Sequence, residues 1–261
     1  MTALLFSLGL YWLAIRLREW FMTVISDSLE HVFVHLHKCG GTSIEKAYID
    51  RGHRLDTVLG GDETGEALNL IWGRRFELHK HSTAQRLASA LKKDWETYWT
   101  FSVVRHPQKV YESFYRWIDR IVRRYCEGSN VSMVDWLSAA KASQLASRPE
   151  FMEYEGFGPY LNCSDFEDFV VRFSKRTSLG TYFERLGDGK KLLVDQVFRL
   201  EEADAIWKEL SSRFGENIAP QHENKGSLID DFEWTKTATD AVLTNHEIDC
   251  HMFGYEPLAH Q

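Results

Sequence analysis

The stretch HVFVHLHKCGGTSIEKAY, from His31 to Tyr48, joins a strand pattern to a helix pattern through a glycine-rich turn. It begins with an apolar, β-branched run and ends with helical spacing, so it predicts a strand from Val32 to Leu36 and a helix from Ser43 to Ile49. The turn between them is rich in glycine and hydroxyl groups. Because the free N–H groups and the dipole of a helix N-terminus both favour negative charge, this turn predicts an anion site. A tight turn with an ordinary helix cap is the alternative.

The residues of this turn suit a phosphate or a sulfate. Gly40 and Gly41 let the backbone approach a ligand closely, and Lys38 adds a full positive charge. Thr42 and Ser43 add hydroxyl donors. The lysine precedes the glycines, unlike the Walker A loop G-x-x-x-x-G-K-[ST], and the magnesium ligand of that loop is missing, so a nucleotide kinase is disfavoured.

The rest of the chain alternates between strand and helix patterns. A hydrophobic helix is expected from Leu4 to Ile25 and a surface loop from Gly52 to Glu66. The other predicted elements are a helix that follows Ser82 and Thr83, a strand from Tyr98 to Val104, a long helix from Pro107, a strand within residues 190–202, and helices from Glu201 to Phe214 and from Thr235 to His251. This alternation predicts an α/β fold with a mostly parallel sheet. We expect an N-terminal hydrophobic helix in residues 1–28 and a single domain in residues 29–261.

Composition excludes several classes of function. The 261 residues are 44% hydrophobic, which is enough for one large domain or at most two. The formal net charge of -7 argues against nucleic acid as a main partner. Four widely spaced cysteines without a CxxC pair argue against a disulfide scaffold and a structural zinc site. Cys39 is therefore interpreted as a small loop residue, with a nucleophile as the alternative.

The N-terminal segment is apolar but short. Ala3 to Ile15 spans 13 residues, fewer than the roughly 20 that a membrane-spanning helix needs. A buried or interfacial helix is expected, with a membrane anchor or membrane contact through residues 3–25 as the alternative. A cytoplasmic location is expected.

A second motif, FSVVRHPQKVYESFYRW, runs from Phe101 to Trp117. Arg105 ends a predicted strand and Ser113 lies in the helix that follows. The carboxyl ends of strands bind ligands in open α/β sheets, and an arginine fork matches phosphate geometry. The alternative is that Arg105 pairs with a carboxylate and Ser113 is only a small helix residue.

These residues carry a family resemblance. VFVHLHKCGGTSIEKAY resembles the 5′-phosphosulfate loop of sulfotransferases that use 3′-phosphoadenosine 5′-phosphosulfate (PAPS), and FSVVRHPQKVYESFYRW resembles their 3′-phosphate motif. The likeness is to the carbohydrate-type branch, whose loop usually reads H-x-P-K-x-G-G-T-S, with His37 here in place of the proline. Weaker likenesses follow in the same order: LHKHSTAQRL, VFRLEE, PQHENKGS and DCHMFGYEP.

The resemblance implies a three-layer, P-loop-like fold with a mostly parallel central sheet flanked by helices. It also implies that Lys38 contacts the phosphosulfate and that the loop Cys39-Gly40-Gly41-Thr42-Ser43 holds the 5′-phosphate. Arg105 and Ser113 would hold the 3′-phosphate, and Asn224 to Ser227 would close over the nucleotide. No metal is implied, because a sulfuryl group carries less negative charge than a phosphoryl group.

A general base is still needed, and histidine suits neutral pH. His81 is the first candidate and His79 the second, because the segment KHSTA resembles a family segment that feeds the cleft. The alternative is a surface turn whose histidines cap a helix. A zinc site from this pair would lack further ligands. His37 is a weaker rival base, and His35 is expected to be a core or edge histidine.

The sequence therefore favours a PAPS-dependent sulfotransferase whose acceptor is a hydroxyl of a glycan or of a small alcohol. The alternatives are a nucleotide-binding protein without catalysis and a small-molecule kinase on a related P-loop fold. The acceptor pocket is expected in two loops, Arg51 to Trp72 and Glu127 to Asn162. The second loop is aromatic, with Trp136, Phe151, Tyr154, Phe157 and Tyr160.

Overall fold

The computed structural model describes residues 23–51, 56–59, 63–78, 81–145, 148–174, 180–218 and 232–258. The chain divides into two compact units. The first unit comprises Met1–Arg105 and Tyr182–Glu223, and contains the sheet. The second comprises His106–Thr181 and Asn224–Gln261, and its described elements are helical.

A five-stranded mixed sheet forms the centre of the first unit. Its strands are β1 (Thr23–Ser26), β2 (His31–Val34), β3 (Thr57–Leu59), β4 (Trp99–Val104) and β5 (Gln196–Arg199), in the order β3-β1-β2-β4-β5. β4 pairs in parallel with both β2 and β5, whereas β1 runs antiparallel to β2 and β3. The predicted α/β class is confirmed. The sheet is parallel only in its centre and on the β5 side.

Two predictions near the N-terminal part of the sheet were wrong. Most of the helix predicted from Leu4 to Ile25 lies outside the described residues, but Val24 and Ile25 belong to a strand and pair with β2. Both side chains are buried and β-branched, which suits a pleated surface better than a helix. The loop predicted from Gly52 to Glu66 contains β3 and the start of a helix at Glu63.

The helices are α1 (Gly41–Ile49), α2 (Glu63–Phe76), α3 (Ala84–Leu91), α4 (Lys93–Thr97), α5 (Pro107–Ser129), α6 (Met133–Lys141), α7 (Phe157–Asn162), α8 (Phe166–Ser174), α9 (Tyr182–Leu186), α10 (Ala203–Phe214), α11 (Lys236–Asn245) and α12 (Glu247–Phe253). Short 3-10 turns cover Glu150–Glu153 and Leu200–Glu202. The single final helix predicted from Thr235 to His251 is two helices that meet at His246.

The core of the first unit lies between the sheet and the helices α1 and α10. Most of its members come from four strands and these two helices, among them Phe33, Tyr48, Phe101, Phe198, Trp207 and Leu210. Burying several large side chains of this kind stabilises the fold by about 1.5–3 kcal/mol each. The core holds α1 against β2, and it therefore fixes the turn between them.

The long helix α5 organises the second unit. Its apolar face is buried at Val110, Phe114, Ile118 and Val122. Pro107 occupies the first turn as predicted, and the His106 ring accepts a hydrogen bond from the Gln108 N–H, so it caps the helix. Helices α8 and α11 pack on each other beside it.

Among the described residues, no helix has the length and apolar character needed to cross a membrane. The predicted apolar segment from Ala3 to Ile15 lies outside the described part of the chain.

Candidate functional site

The turn between β2 and α1 has the geometry of an anion-binding loop. Lys38 and Gly40 both have left-handed backbone angles, with φ of 59° and 78°. Gly40 is the residue before α1, and no side chain among the described residues caps this helix. The first turn also carries no acidic residue. The Ser43 N–H donates to the carbonyl of Gly40 at 3.3 Å, and the other N–H groups of this turn are suited to an anion from outside the helix.

Both glycines of the loop are packed against other parts of the first unit. A Cβ atom on Gly40 would lie 2.6 Å from a methyl carbon of Leu200, which follows β5. A Cβ atom on Gly41 would overlap the imidazole of His35. Only glycine fits at these positions without a shift of its neighbours, so the loop conformation depends on both.

The ring of His35 packs against Gly41 of the loop. Its Nδ1 lies 2.6 Å from Oε1 of Glu45, and both side chains are buried, with 4% and 0% of their areas exposed. Glu45 lies one turn into α1, so this contact joins the end of β2 to the helix that starts the anion site. The sequence pattern predicts His35 only as a core or edge residue. The missed signal was Glu45, an acidic residue among the buried residues of α1.

Gly41→Ala tests this packing. Alanine is favoured over glycine in a helix by about 1 kcal/mol, but the overlap with His35 should cost about 1–3 kcal/mol, as other overpacked sites do. We expect a net loss of unfolding free energy in urea titrations. In a His35→Ala background the same Gly41→Ala change should be neutral or stabilising, because the ring is gone. Equal effects of Gly41→Ala in both backgrounds would contradict this packing.

Arg105 joins the second motif to the loop. It follows β4 directly, and one of its guanidinium nitrogens donates to the carbonyl of Lys38 at 3.3 Å. The Tyr182 hydroxyl donates to the carbonyl of Arg105 at 2.6 Å and so links α9 to the same point. A guanidinium has five donors, so most of the fork remains for a ligand. Two stretches that are 67 residues apart in sequence are thus in contact.

Cys39 is a buried member of the loop. Its thiol is 1% exposed and donates to the carbonyl of His37 at 3.2 Å. Its sulfur also lies 3.9 Å from the hydroxyl of Tyr182. This burial favours the interpretation as a loop residue over that as a nucleophile.

Three histidines meet at this loop. The His81 and His37 rings stack at a centroid distance of 3.4 Å, and the His35 ring lies 5.1 Å from His81. Arg185 donates to the backbone carbonyl of His81 and holds it from α9. His81 therefore lies against His37, the residue directly before Lys38, which suits a general base at this loop. His79 lies outside the described residues, as do Asn224 to Ser227.

The stacking of His37 on His81 was not expected from the sequence. The contact places the His37 ring against the His81 ring, so His37 restricts the position of the candidate base. His31 is no rival base. It lies at the opposite end of β2, and burial, aided by the charge of Arg213, lowers its pKa to about 4.

Ser113 and most of the predicted acceptor residues lie in the second unit. Ser113 is half-buried in the second turn of α5. Four aromatic residues predicted for the acceptor pocket are core: Trp136, Phe151, Phe157 and Tyr160 are each less than a tenth exposed. Tyr154 is the exception, since it is half-buried and stacks on Trp117.

Within the described part of the chain, no group of three or more His, Cys, Asp or Glu side chains is arranged to hold a metal ion. The chain matches no protein-family model, no curated protein and no solved structure. The residues of the loop and their geometry are therefore what supports a function.

Proposed function

We propose that this protein is a PAPS-dependent sulfotransferase that moves a sulfuryl group to a hydroxyl of a glycan or of a small alcohol. The observation that carries the proposal is the contact between Arg105 and the carbonyl of Lys38. It unites the two anion motifs at the carboxyl ends of the parallel strands β2 and β4, where open α/β sheets bind their ligands. The P-loop-like identity of the fold and a cytoplasmic location are part of this proposal.

The donor set of the loop suits the two phosphates and the sulfate of PAPS. The N–H groups of the first turn of α1 and the hydroxyls of Thr42 and Ser43 would hold the 5′-phosphate. The fork of Arg105 would hold the 3′-phosphate, with the hydroxyl of Ser113 as its proposed partner. Nothing in this set requires a metal, because lysine and backbone donors can offset the charge of a sulfate.

Transfer requires one proton acceptor and one positive charge. His81 would take the proton from the acceptor hydroxyl as the new S–O bond forms. Lys38 would stabilise the negative charge that the leaving oxygen gains as the old S–O bond breaks. The electron pair of that bond leaves with 3′-phosphoadenosine 5′-phosphate. The stacked ring of His37 would pack against the imidazole of His81 and fix its position.

The two alternatives fit the loop less well. A nucleotide-binding protein without catalysis would not need a lysine and stacked histidines next to the anion site. A kinase would need the G-K-[ST] sequence and its magnesium ligand, which the loop lacks.

Cofactor binding tests the proposal directly. PAPS and 3′-phosphoadenosine 5′-phosphate should bind in the presence of a magnesium chelator, and at 100 times the Kd either should stabilise the protein by about 2.7 kcal/mol. The measurements are calorimetric titration and a thermal shift, with ATP and magnesium as the comparison. Tighter binding of ATP, or binding that requires magnesium, would reject the sulfotransferase and favour the kinase. An acceptor screen with radiolabelled PAPS then identifies the hydroxyl.

A further inference from the structure

The basic residues of α5 fall into two groups. Lys109 and Arg116 both bond to the carboxylate of Glu112, at 2.9 and 3.1 Å. Arg123 bonds to Asp119 at 2.6 Å. The remaining two, Arg120 and Arg124, form no ion pair with any carboxylate of the described residues. Neither is paired with Glu127, the third acidic residue of this helix.

Arg120 is the more constrained of the two. It is half-buried, and its Nε–H is enclosed by the protein without a hydrogen-bond acceptor in the described structure. Burial and the nearby charge of Arg124 both lower the pKa of Arg120. Proteins seldom half-bury an arginine without an acceptor, and the two Nη groups of Arg120, which are not enclosed as the Nε–H is, can bind an anion from outside.

An aromatic pair lies next to this charge. The Trp117 ring stacks on Tyr154 at a centroid distance of 5.3 Å and an interplanar angle of 20°. Trp117 lies three residues before Arg120, and Arg124 lies four residues after Arg120. The three side chains therefore share one face of α5. Both aromatic rings are half-buried, unlike the core aromatics around them.

We propose that Arg120, Arg124, Trp117 and Tyr154 form a binding site for an acidic saccharide, here called the arginine face. The two guanidinium groups would bind a carboxylate or sulfate of the sugar, and the aromatic pair would pack against its ring. A saccharide fits better than a nucleic acid, because only two arginines are unpaired here and the chain as a whole has a net charge of -7.

The role of this site in acceptor recognition rests on the proposed function, but binding to the arginine face does not. Binding is therefore measured without PAPS, so that its failure and the failure of the sulfotransferase proposal are separate results. The probes are a heparin tetrasaccharide, a hyaluronan tetrasaccharide that carries only carboxylates, neutral maltotetraose and a single-stranded DNA oligomer.

Both acidic saccharides should bind the full chain, and maltotetraose should bind at least tenfold more weakly. Arg120→Gln and Arg124→Gln should each weaken binding of the acidic saccharides about tenfold or more, the range of one charge-assisted hydrogen bond. Arg120→Lys should recover part of the affinity, because it restores the charge without the fork. Arg124 is exposed, so its variant tests the site even where a change at the half-buried Arg120 impairs folding.

Arg172→Gln is the matched control. Arg172 belongs to the same unit and loses the same charge, but it is already paired with Asp168 at 2.6 Å. Its variant should bind as the unaltered protein does. Equal losses for Arg172→Gln and Arg124→Gln would mean non-specific attraction and would overturn the site. Equal affinity for maltotetraose, or tighter binding of DNA through the same arginines, would overturn the ligand class.

Discussion

Lys38→Ala is expected to lower the turnover of the proposed sulfotransferase about 10²–10³-fold, with a much smaller effect on PAPS affinity. The reason is that the charge of the lysine is needed most where the leaving oxygen becomes negative, in the transition state rather than in the bound complex. The backbone of Lys38 supports this role. A lysine rarely has a φ of 59°, and strain of this kind is concentrated at functional sites.

Two other variants test whether Lys38→Ala lowers turnover more than it lowers PAPS affinity. Arg105→Ala removes a fork that would contact the 3′-phosphate, so it should weaken affinity by about 2–3 kcal/mol and leave saturated turnover nearly intact. Lys46→Ala removes the same charge from the far end of α1 and should change neither. Single-turnover rates at saturating PAPS, with Kd from calorimetry, separate the two effects. Equal losses of affinity alone in Lys38→Ala and Arg105→Ala would exclude a catalytic role for Lys38.

The first unit shows what the sequence could specify. The strand, turn and helix around Gly40 and Gly41 follow from local residue chemistry, and the meeting of Arg105 with the loop follows from the ends of two parallel strands. These features depend on short-range patterns and one topological rule. They were therefore predictable from the residues.

The missed features depend on pairing partners that are distant in sequence. Val24 and Ile25 are apolar in either a helix or a strand, and only pairing with β2 and β3 decides between them. Likewise, His35 contacts Glu45 only when β2 packs against α1. His37 stacks on His81 only when the segment before α3 packs against the end of β2. The sequence around a histidine does not specify which side chains it contacts. His81 was therefore predicted as a single base, whereas in the structure its ring lies against those of His35 and His37.

His81→Ala is expected to leave PAPS binding nearly intact and to lower turnover about 10²–10⁴-fold, the usual range for the loss of a general base. Its position supports this expectation, because its ring stacks on His37, the residue directly before Lys38. Imidazole titrates near neutral pH, so the acidic limb of the pH–rate profile should disappear with the ring. The measurements are turnover at saturating PAPS between about pH 5 and 8 and Kd by calorimetry.

His37→Ala separates the base from its stacked neighbour. If His37 only packs against the base, its loss should lower turnover less than His81→Ala does, because His81 still accepts the proton. His79→Ala should have the smaller effect of a neighbouring charge. His81→Gln keeps a polar side chain of similar reach but cannot be protonated, so it should be as inactive as His81→Ala. Near-normal turnover in His81→Ala, with loss of activity in His37→Ala or His79→Ala, would assign the base to another histidine and leave the PAPS proposal standing.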